Sequence, residues 1–323
     1  MPETVVFEGS MSEPKEGAVV FSVVIPLYNE EGNLNELYNR LSVVMEGLGE
    51  SYEVVFVDDG STDGSLELLK GLHEKDDKVK VITFTRNFGQ HLAMTAGFDY
   101  AKGESVILMD ADLQDPPEEI PKLVAKIHEG YDVVYGHRKI RHDSLFKKLT
   151  SKIYLQMLAK LTHQAISPDI TSFRIVTRKV VDCTNQLKER NRFHGGLVAW
   201  LGFPYATVDV EYGERFAGKT KYSLRKMIAL ALEGIISFSD IPLRMIGYFG
   251  LLVSAISFIV GIVVLVRYLV WGIPVEGYTS TVVAIFFTGG VILLVLGVVG
   301  QYIGRIHIEV KNRPLYVVKD LLE

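Results

Sequence analysis

Two stretches near the C-terminal end constrain this chain more than any other feature: Met245 to Val266 and Gly277 to Gly304 contain no charged residue. A hydrocarbon core of about 30 Å is crossed by roughly 20 helical residues, so each stretch is long enough to span a bilayer. A buried soluble hairpin is the alternative reading, but soluble helices rarely stay apolar on every face for such a length. The hydrophobic content of 48% over 323 residues and the mean hydropathy of +0.21 point the same way, being high for a wholly soluble protein. Arg244 precedes the first stretch and Arg305, Lys311 and Arg313 follow the second, whereas the connector Gly272 to Ser280 holds only Glu276. That asymmetry predicts two transmembrane helices with both termini in the cytoplasm.

The rest of the chain supports this frame. Residues 1–20 are polar and acidic without a signal-type apolar core, and are expected to form a loose extension. Cys183 is the only cysteine, which excludes an internal disulfide and fits a reducing compartment. A net charge of −5 gives nucleic-acid binding no support. From Phe21 to about Gly136, short β-rich runs alternate with helical stretches, the pattern of a parallel α/β sheet. The runs begin at Phe21, Tyr52, Val79, Ser105 and Asp132, and each ends in a loop rich in Asn, Asp, Gly or Pro. Ligands of such sheets bind beyond the carboxyl ends of the strands. A basic stretch follows from Arg138 to Lys152, either seating the domain on anionic headgroups or forming a solvated face. The segment to about Tyr212 mixes strand and helix signals. Residues 221–243 carry Leu224, Met227, Ile228, Ala231, Leu232, Ile235 and Ile236 at helical spacing, which predicts interfacial helices or a helix packed on the soluble core.

Three loops hold candidate chemistry. Met109-Asp110-Ala111-Asp112-Leu113-Gln114 follows an apolar strand, so two carboxylates one residue apart can reach one hard cation and leave room for phosphate oxygens. The same acids could instead cap the helix that Asp115-Pro116-Pro117-Glu118-Glu119 begins. Val57-Asp58-Asp59-Gly60-Ser61-Thr62-Asp63 follows the second run. Its acids could accept hydrogen bonds from a base or ribose, or form a turn with Asp63 or Ser61 as a helix cap. Pro26-Leu27-Tyr28-Asn29-Glu30 supplies an aromatic face and an acid.

These loops, with Tyr135-Gly-His-Arg138, Arg192-Phe-His-Gly-Gly and the two apolar stretches, resemble the polyprenyl-phosphate glycosyltransferases of glycosyltransferase family two. That group contains dolichyl-phosphate mannose synthase and bacterial undecaprenyl-phosphate glucosyltransferases, and the resemblance covers nearly the whole chain after Phe21. It implies a GT-A (Rossmann-like) nucleotide-sugar domain over 21–220, juxtamembrane helices over 221–243, two transmembrane helices over 244–304 and a cytoplasmic tail over 305–323. It implies that Pro26, Tyr28, Glu30, Val57 and Asp59 line the nucleoside site and that Asp110 and Ala111 touch ribose and diphosphate. Asp110, Asp112 and Gln114 would hold Mg2+ or Mn2+; Arg138 matches the family arginine after the fourth loop and joins the donor-binding set, while Arg215 and Lys221, catalytic together with Asp112, match the later arginine and lysine that face phosphate groups. The implied reaction is inverting transfer of a hexose from a nucleotide sugar, UDP-linked in preference to GDP-mannose, to polyprenyl phosphate at the cytoplasmic leaflet. A phosphate monoester is already largely anionic at neutral pH, so the attack needs no general base. One departure stands out: many relatives read Asp-x-Gly-Asp-Phe-Arg where this chain has Asp169-Ile-Thr-Ser172-Phe-Arg174, so the second acid is missing.

Other readings remain at this point. Gly213 to Thr220 fits the G-x-x-x-x-G-K-[ST] pattern, yet about twenty residues separate it from the first apolar stretch, too few for a nucleotide-triphosphatase core. It is better suited to a basic loop over a lipid phosphate. A processive polysaccharide synthase should carry Gln-x-x-Arg-Trp, which is absent; a non-enzymatic nucleotide-sugar-binding scaffold is the other rival. A homo-oligomer is compatible with the sequence.

Overall fold

The computed structural model describes residues 19–138, 170–187, 189–190, 192, 194–211, 213, part of 247–270, and 277–323. The chain divides into two units, Met1–Tyr222 with Pro314–Glu323, and Ser223–Arg313.

The first unit is built on an eight-stranded mixed sheet of order β7-β5-β6-β4-β1-β2-β3-β8. Its centre is the expected parallel array: β1 (Phe21–Leu27) pairs in parallel with β2 (Tyr52–Asp58) and β4 (Ser105–Leu108), and β2 with β3 (Val79–Phe84). All seven residues of β1 and of β2 are buried, as strands covered on both faces must be. Helices α1 (Glu31–Leu48), α2 (Ser65–His73) and α4 (Ile120–His128) supply Leu34, Leu37, Leu41, Met45, Leu69 and Leu123 to the core on one face. Helix α3 (Gln90–Tyr100), with α5 (Arg178–Gln186) and α6 (His194–Trp200), supplies Met94, Phe98, Val180 and Val198 to the other. Helix α3 approaches β1 closely because Gly97 has no side chain: a Cβ there would lie 2.1 Å from Val24 Cγ1.

The sheet departs from a purely parallel array. Strand β6 (Ile170–Thr177) inserts antiparallel between β4 and β5 (Val133–Arg138), and β7 (Tyr205–Val210) extends the edge parallel to β5. At the other edge, β8 (Val318–Leu322) lies antiparallel to β3. The end of the segment expected to be a cytoplasmic tail is thus a strand of the first unit's sheet, and it covers an otherwise open edge.

In the second unit, α7 (Tyr278–Val310) runs for 33 residues. Its portion Phe287–Val310 has a mean hydropathy of 1.8 and no burial, and it is the one helix among the described residues long and apolar enough to cross a membrane. The described positions between 247 and 270 are helical and largely exposed. The extension 1–18, the basic stretch 139–152 and the juxtamembrane segment 221–243 lie outside the described residues.

Candidate functional site

The carboxyl ends of β1, β2 and β4 bring the three sequence loops together. Pro26 and Val57 are register partners at the ends of β1 and β2, both buried, and Tyr28 follows with 36% of its surface exposed. The first two loops are laced to each other by polar contacts. The amide of Asn29, itself left-handed at φ 56°, donates to Ser61 Oγ at 2.9 Å, and its side-chain oxygen accepts from the Thr62 amide at 2.7 Å. Glu30 accepts from Asn33 Nδ2 at 2.6 Å and its amide donates to Ser65 Oγ. Asp63 accepts from the amides of Ser65 and Glu31, tying together the starts of α1 and α2; it is not the N-cap residue of α2, which is Gly64 and makes no side-chain cap bond.

The acidic pair of the second loop is buried. Asp58 accepts from the Ser61 amide, and burial pushes its carboxyl above the usual range. Asp59 accepts from the Phe88 amide at 2.6 Å through one oxygen and from the Gly89 amide at 2.9 Å through the other. Burial raises its pKa, and those two amides pull it back. Between them and the next loop, Gly60 has φ 70° and a Cβ there would meet the Arg86 carbonyl carbon at 2.6 Å, so the turn and segment 85–90 are in direct contact.

Asp110 stands just beyond β4, where Gln90 Nε2 donates to one carboxylate oxygen at 2.8 Å and Ser172 Oγ to the other at 2.7 Å. Burial pushes its pKa up; Ser172 opposes this, and the Asp112 charge adds to it. Asp112 is buried and accepts from the Gln114 amide at 3.2 Å. The chain turns between them through Leu113, a buried residue held at φ 59°, a conformation leucine rarely adopts. The Gln114 carbonyl in turn accepts from the Gly213 amide at 2.9 Å, which brings the start of the 213–220 loop onto the Asp-Ala-Asp motif. Ala111 is buried beneath it.

Among the described residues no three His, Cys, Asp or Glu side chains gather as a metal group. Asp110 and Asp112 nevertheless suit a cation shared with substrate. Each Asp110 oxygen accepts one side-chain hydrogen bond and keeps a second lone pair, and a magnesium-like ion needs few protein ligands where phosphate oxygens complete its shell. Arg138, expected in the donor-binding set, is placed by its backbone at the end of β5, and the expected phosphate-facing Arg215 and Lys221 lie outside the described residues.

Behind Asp110 lies a feature that sequence reasoning did not assign. Arg174 of β6 is 3% exposed, and its Nη2 lies 2.8 Å from His194 Nδ1. A guanidinium only donates, so Nδ1 accepts and the imidazole is neutral with its proton on Nε2. The ring stands edge-on to Phe98 at 4.3 Å. Burial lowers the Arg174 pKa, while Tyr135 and Asp110 support its charge. Gln90 carries no signal beyond a position after Asn87-Phe-Gly89, Ser172 shows up in sequence only as the departure from the family pattern, and Arg174 only as the arginine that ends it.

Comparison with known proteins agrees with this arrangement. The model of "Glycosyl transferase family 2" matches residues 22–184. "Uncharacterized glycosyltransferase YkcC" of Bacillus subtilis is 44% identical over 93% of this chain and 94% of its own length. The "SfII prophage-derived bactoprenol glucosyl transferase" of Shigella flexneri is 42% identical over 92% and 97%. The "Bactoprenol glucosyl transferase" of Shigella phage SfV is 41% identical over 93% and 98%.

Proposed function

This chain belongs to glycosyl transferase family 2, and on that premise we propose that it transfers glucose, carried as a UDP-sugar, to a polyprenyl phosphate at the cytoplasmic leaflet. The observation that carries the reading is the β4 end, where Asp110 is oriented by Gln90 and Ser172 beside Asp112, with the start of the 213–220 loop hydrogen-bonded to Gln114. The substrate class follows from the relatives named as bactoprenol glucosyl transferases.

In this reading Pro26, Tyr28, Glu30, Val57 and Asp59 border the nucleoside, and Ala111 lets the backbone approach ribose and diphosphate. Asp110, Asp112 and Gln114 would hold Mg2+ or Mn2+, which when bound supplies positive charge against the diphosphate leaving group. Arg138, Arg215 and Lys221 orient phosphate groups by charge-assisted hydrogen bonds. The acceptor phosphate attacks the anomeric carbon with inversion and requires no deprotonation, which accommodates Ser172 in place of an acid. Support for two membrane crossings comes from β8: residues on both sides of 223–313 share one sheet, so the segment between must cross an even number of times.

Incubating the purified protein with polyprenyl phosphate and a panel of nucleotide sugars tests this. UDP-glucose should give a single polyprenyl-phosphate hexose, and Asp112→Ala should lower the rate at least about a hundredfold, a loss of roughly 3 kcal/mol of transition-state stabilisation. Polymeric product, or no transfer from any donor, would refute it.

A further inference from the structure

The C-terminal segment after α7 does more than close a sheet edge. Strand β8 pairs with β3 from Val81↔Leu322 to Phe84↔Val318, and the ladder continues through the Thr85 amide, which donates to the Val317 carbonyl at 3.1 Å. Tyr316, just before the strand, stacks on Phe84 with ring centroids 5.0 Å apart and planes at 17°. Its hydroxyl donates to Asp99 Oδ2 of α3 at 2.7 Å. Phe84 meets Phe88 edge-on at 5.6 Å, and the Arg86 guanidinium covers the Phe88 ring at 4.0 Å.

Segment 85–90 is thereby strung between two sets of anchors. At one end Tyr316, Val317 and Phe84 grip Thr85 and Phe88. At the other, the amides of Phe88 and Gly89 bind Asp59, and Gln90 binds Asp110. Asp59 and Asp110 are the acids assigned above to nucleoside and diphosphate. The segment itself is mostly exposed, so it has few buried contacts of its own to fix it.

We propose that Tyr316 is a positioning residue of the nucleotide-sugar site: stacked on Phe84 and bonded to Asp99, it sets segment 85–90 and through it Asp59 and Asp110. The ring of Tyr316 is the wedge and its bond to Asp99 fixes the ring's angle against α3. A side chain just before β8 thus helps to order acids that stand at positions 59 and 110. The inference rests on the donor reading of Asp59 and Asp110, and its test separates the two.

Hydrogen exchange of the full-length protein in detergent reads the anchor without any substrate. Tyr316→Ala should speed exchange at the Phe88 and Gly89 amides about tenfold, whereas Tyr316→Phe, which keeps the stack and loses only the hydroxyl, should give a smaller increase. In the same variants UDP binding by calorimetry should weaken about five- to tenfold, with kcat at saturating donor and the KM for polyprenyl phosphate within about twofold of the parent. Leu322→Ala, which trims the same strand at a position packed on the core, should lower Tm and leave both readouts unchanged. Unchanged exchange at Phe88 and Gly89 in Tyr316→Ala, or an equal effect from Leu322→Ala, overturns the proposal. Faster exchange with unaltered UDP binding overturns the link to the donor site while the anchor stands.

Discussion

The buried His194 shows how one side chain carries an acid sensitivity for the whole domain. Burial first, then the positive charge of Arg174 and the neighbouring His91 and Arg192, hold its pKa well below 6.5. In the unfolded chain the imidazole takes up a proton near pH 6.5, so below that pH the unfolded state binds more protons than the folded one. Stability therefore rises with pH in that window: the contribution is complete above about pH 6.5 and erodes below it by up to about 1.4 kcal/mol per pH unit. His194→Asn places an amide oxygen near the Nδ1 position, keeps an acceptor for Arg174 and removes the titration. Denaturant unfolding in detergent at pH 7.5, 6.5 and 5.5 should show a shallower fall for His194→Asn than for the parent. His91, also pulled down by burial and by Arg174, is present in both proteins, so the difference isolates His194. Equal slopes would mean that the histidine takes up its proton in the folded state. None of this was legible in the sequence, because Arg192-Phe-His-Gly-Gly has the composition of an exposed loop and the burial comes from α3 and β6, far away in the chain.

Helix α3 shows what determines element packing here. Alanine is the better helix former by about 1 kcal/mol, yet a Cβ at position 97 would sit 2.1 Å from Val24 Cγ1 in the middle of β1. Overpacking a well-filled core costs roughly 1 to 3 kcal/mol, which outweighs the propensity gain. Gly97→Ala should thus lower the midpoint of thermal unfolding by several degrees. In the double variant with Val24→Ala the two changes should be non-additive by at least about 1 kcal/mol, because the second removes the methyl that the first strikes. Strict additivity would show that α3 shifts away instead. The parallel strands β1 to β4 were readable because each is a short β-rich run ending in a polar loop, and both faces of the sheet demand apolar residues. Strand β6 was not, since the site places Ser172 and Arg174 inside it and breaks the apolar run. Strand β8 is five residues long with alternating exposure, a pattern too short to stand out beside the long apolar stretch that precedes it.

Across the whole molecule, β8 turns a local pairing into a statement about topology. Helix α7 is about 50 Å long at 1.5 Å per residue, more than a hydrocarbon core of about 30 Å requires, and its exposed apolar faces suit lipid. If α7 crosses the membrane, its C-terminal end emerges on the side of the catalytic domain, because Val318–Leu322 is a strand of that domain. The chain leaves the same domain before residue 223, so on that condition the proposed topology needs a second crossing before α7, and the uncharged stretch Met245 to Val266 is the sequence proposed for it. The excess of Lys and Arg at the two outer ends is the ground for proposing that this side faces the cytoplasm. Cysteine labelling tests this once Cys183 is set aside: it is buried, and burial raises its thiol pKa, so its silence would report access rather than sidedness. Ser280 and Lys319 are both exposed and make a matched pair. With intact cells and an impermeant maleimide, Ser280→Cys should react and Lys319→Cys should not, and permeabilisation should expose Lys319→Cys to the reagent. Labelling of both from outside, or of neither, would mean that α7 does not cross. Labelling of Lys319→Cys alone would invert the protein and place its sugar transfer on the outer leaflet.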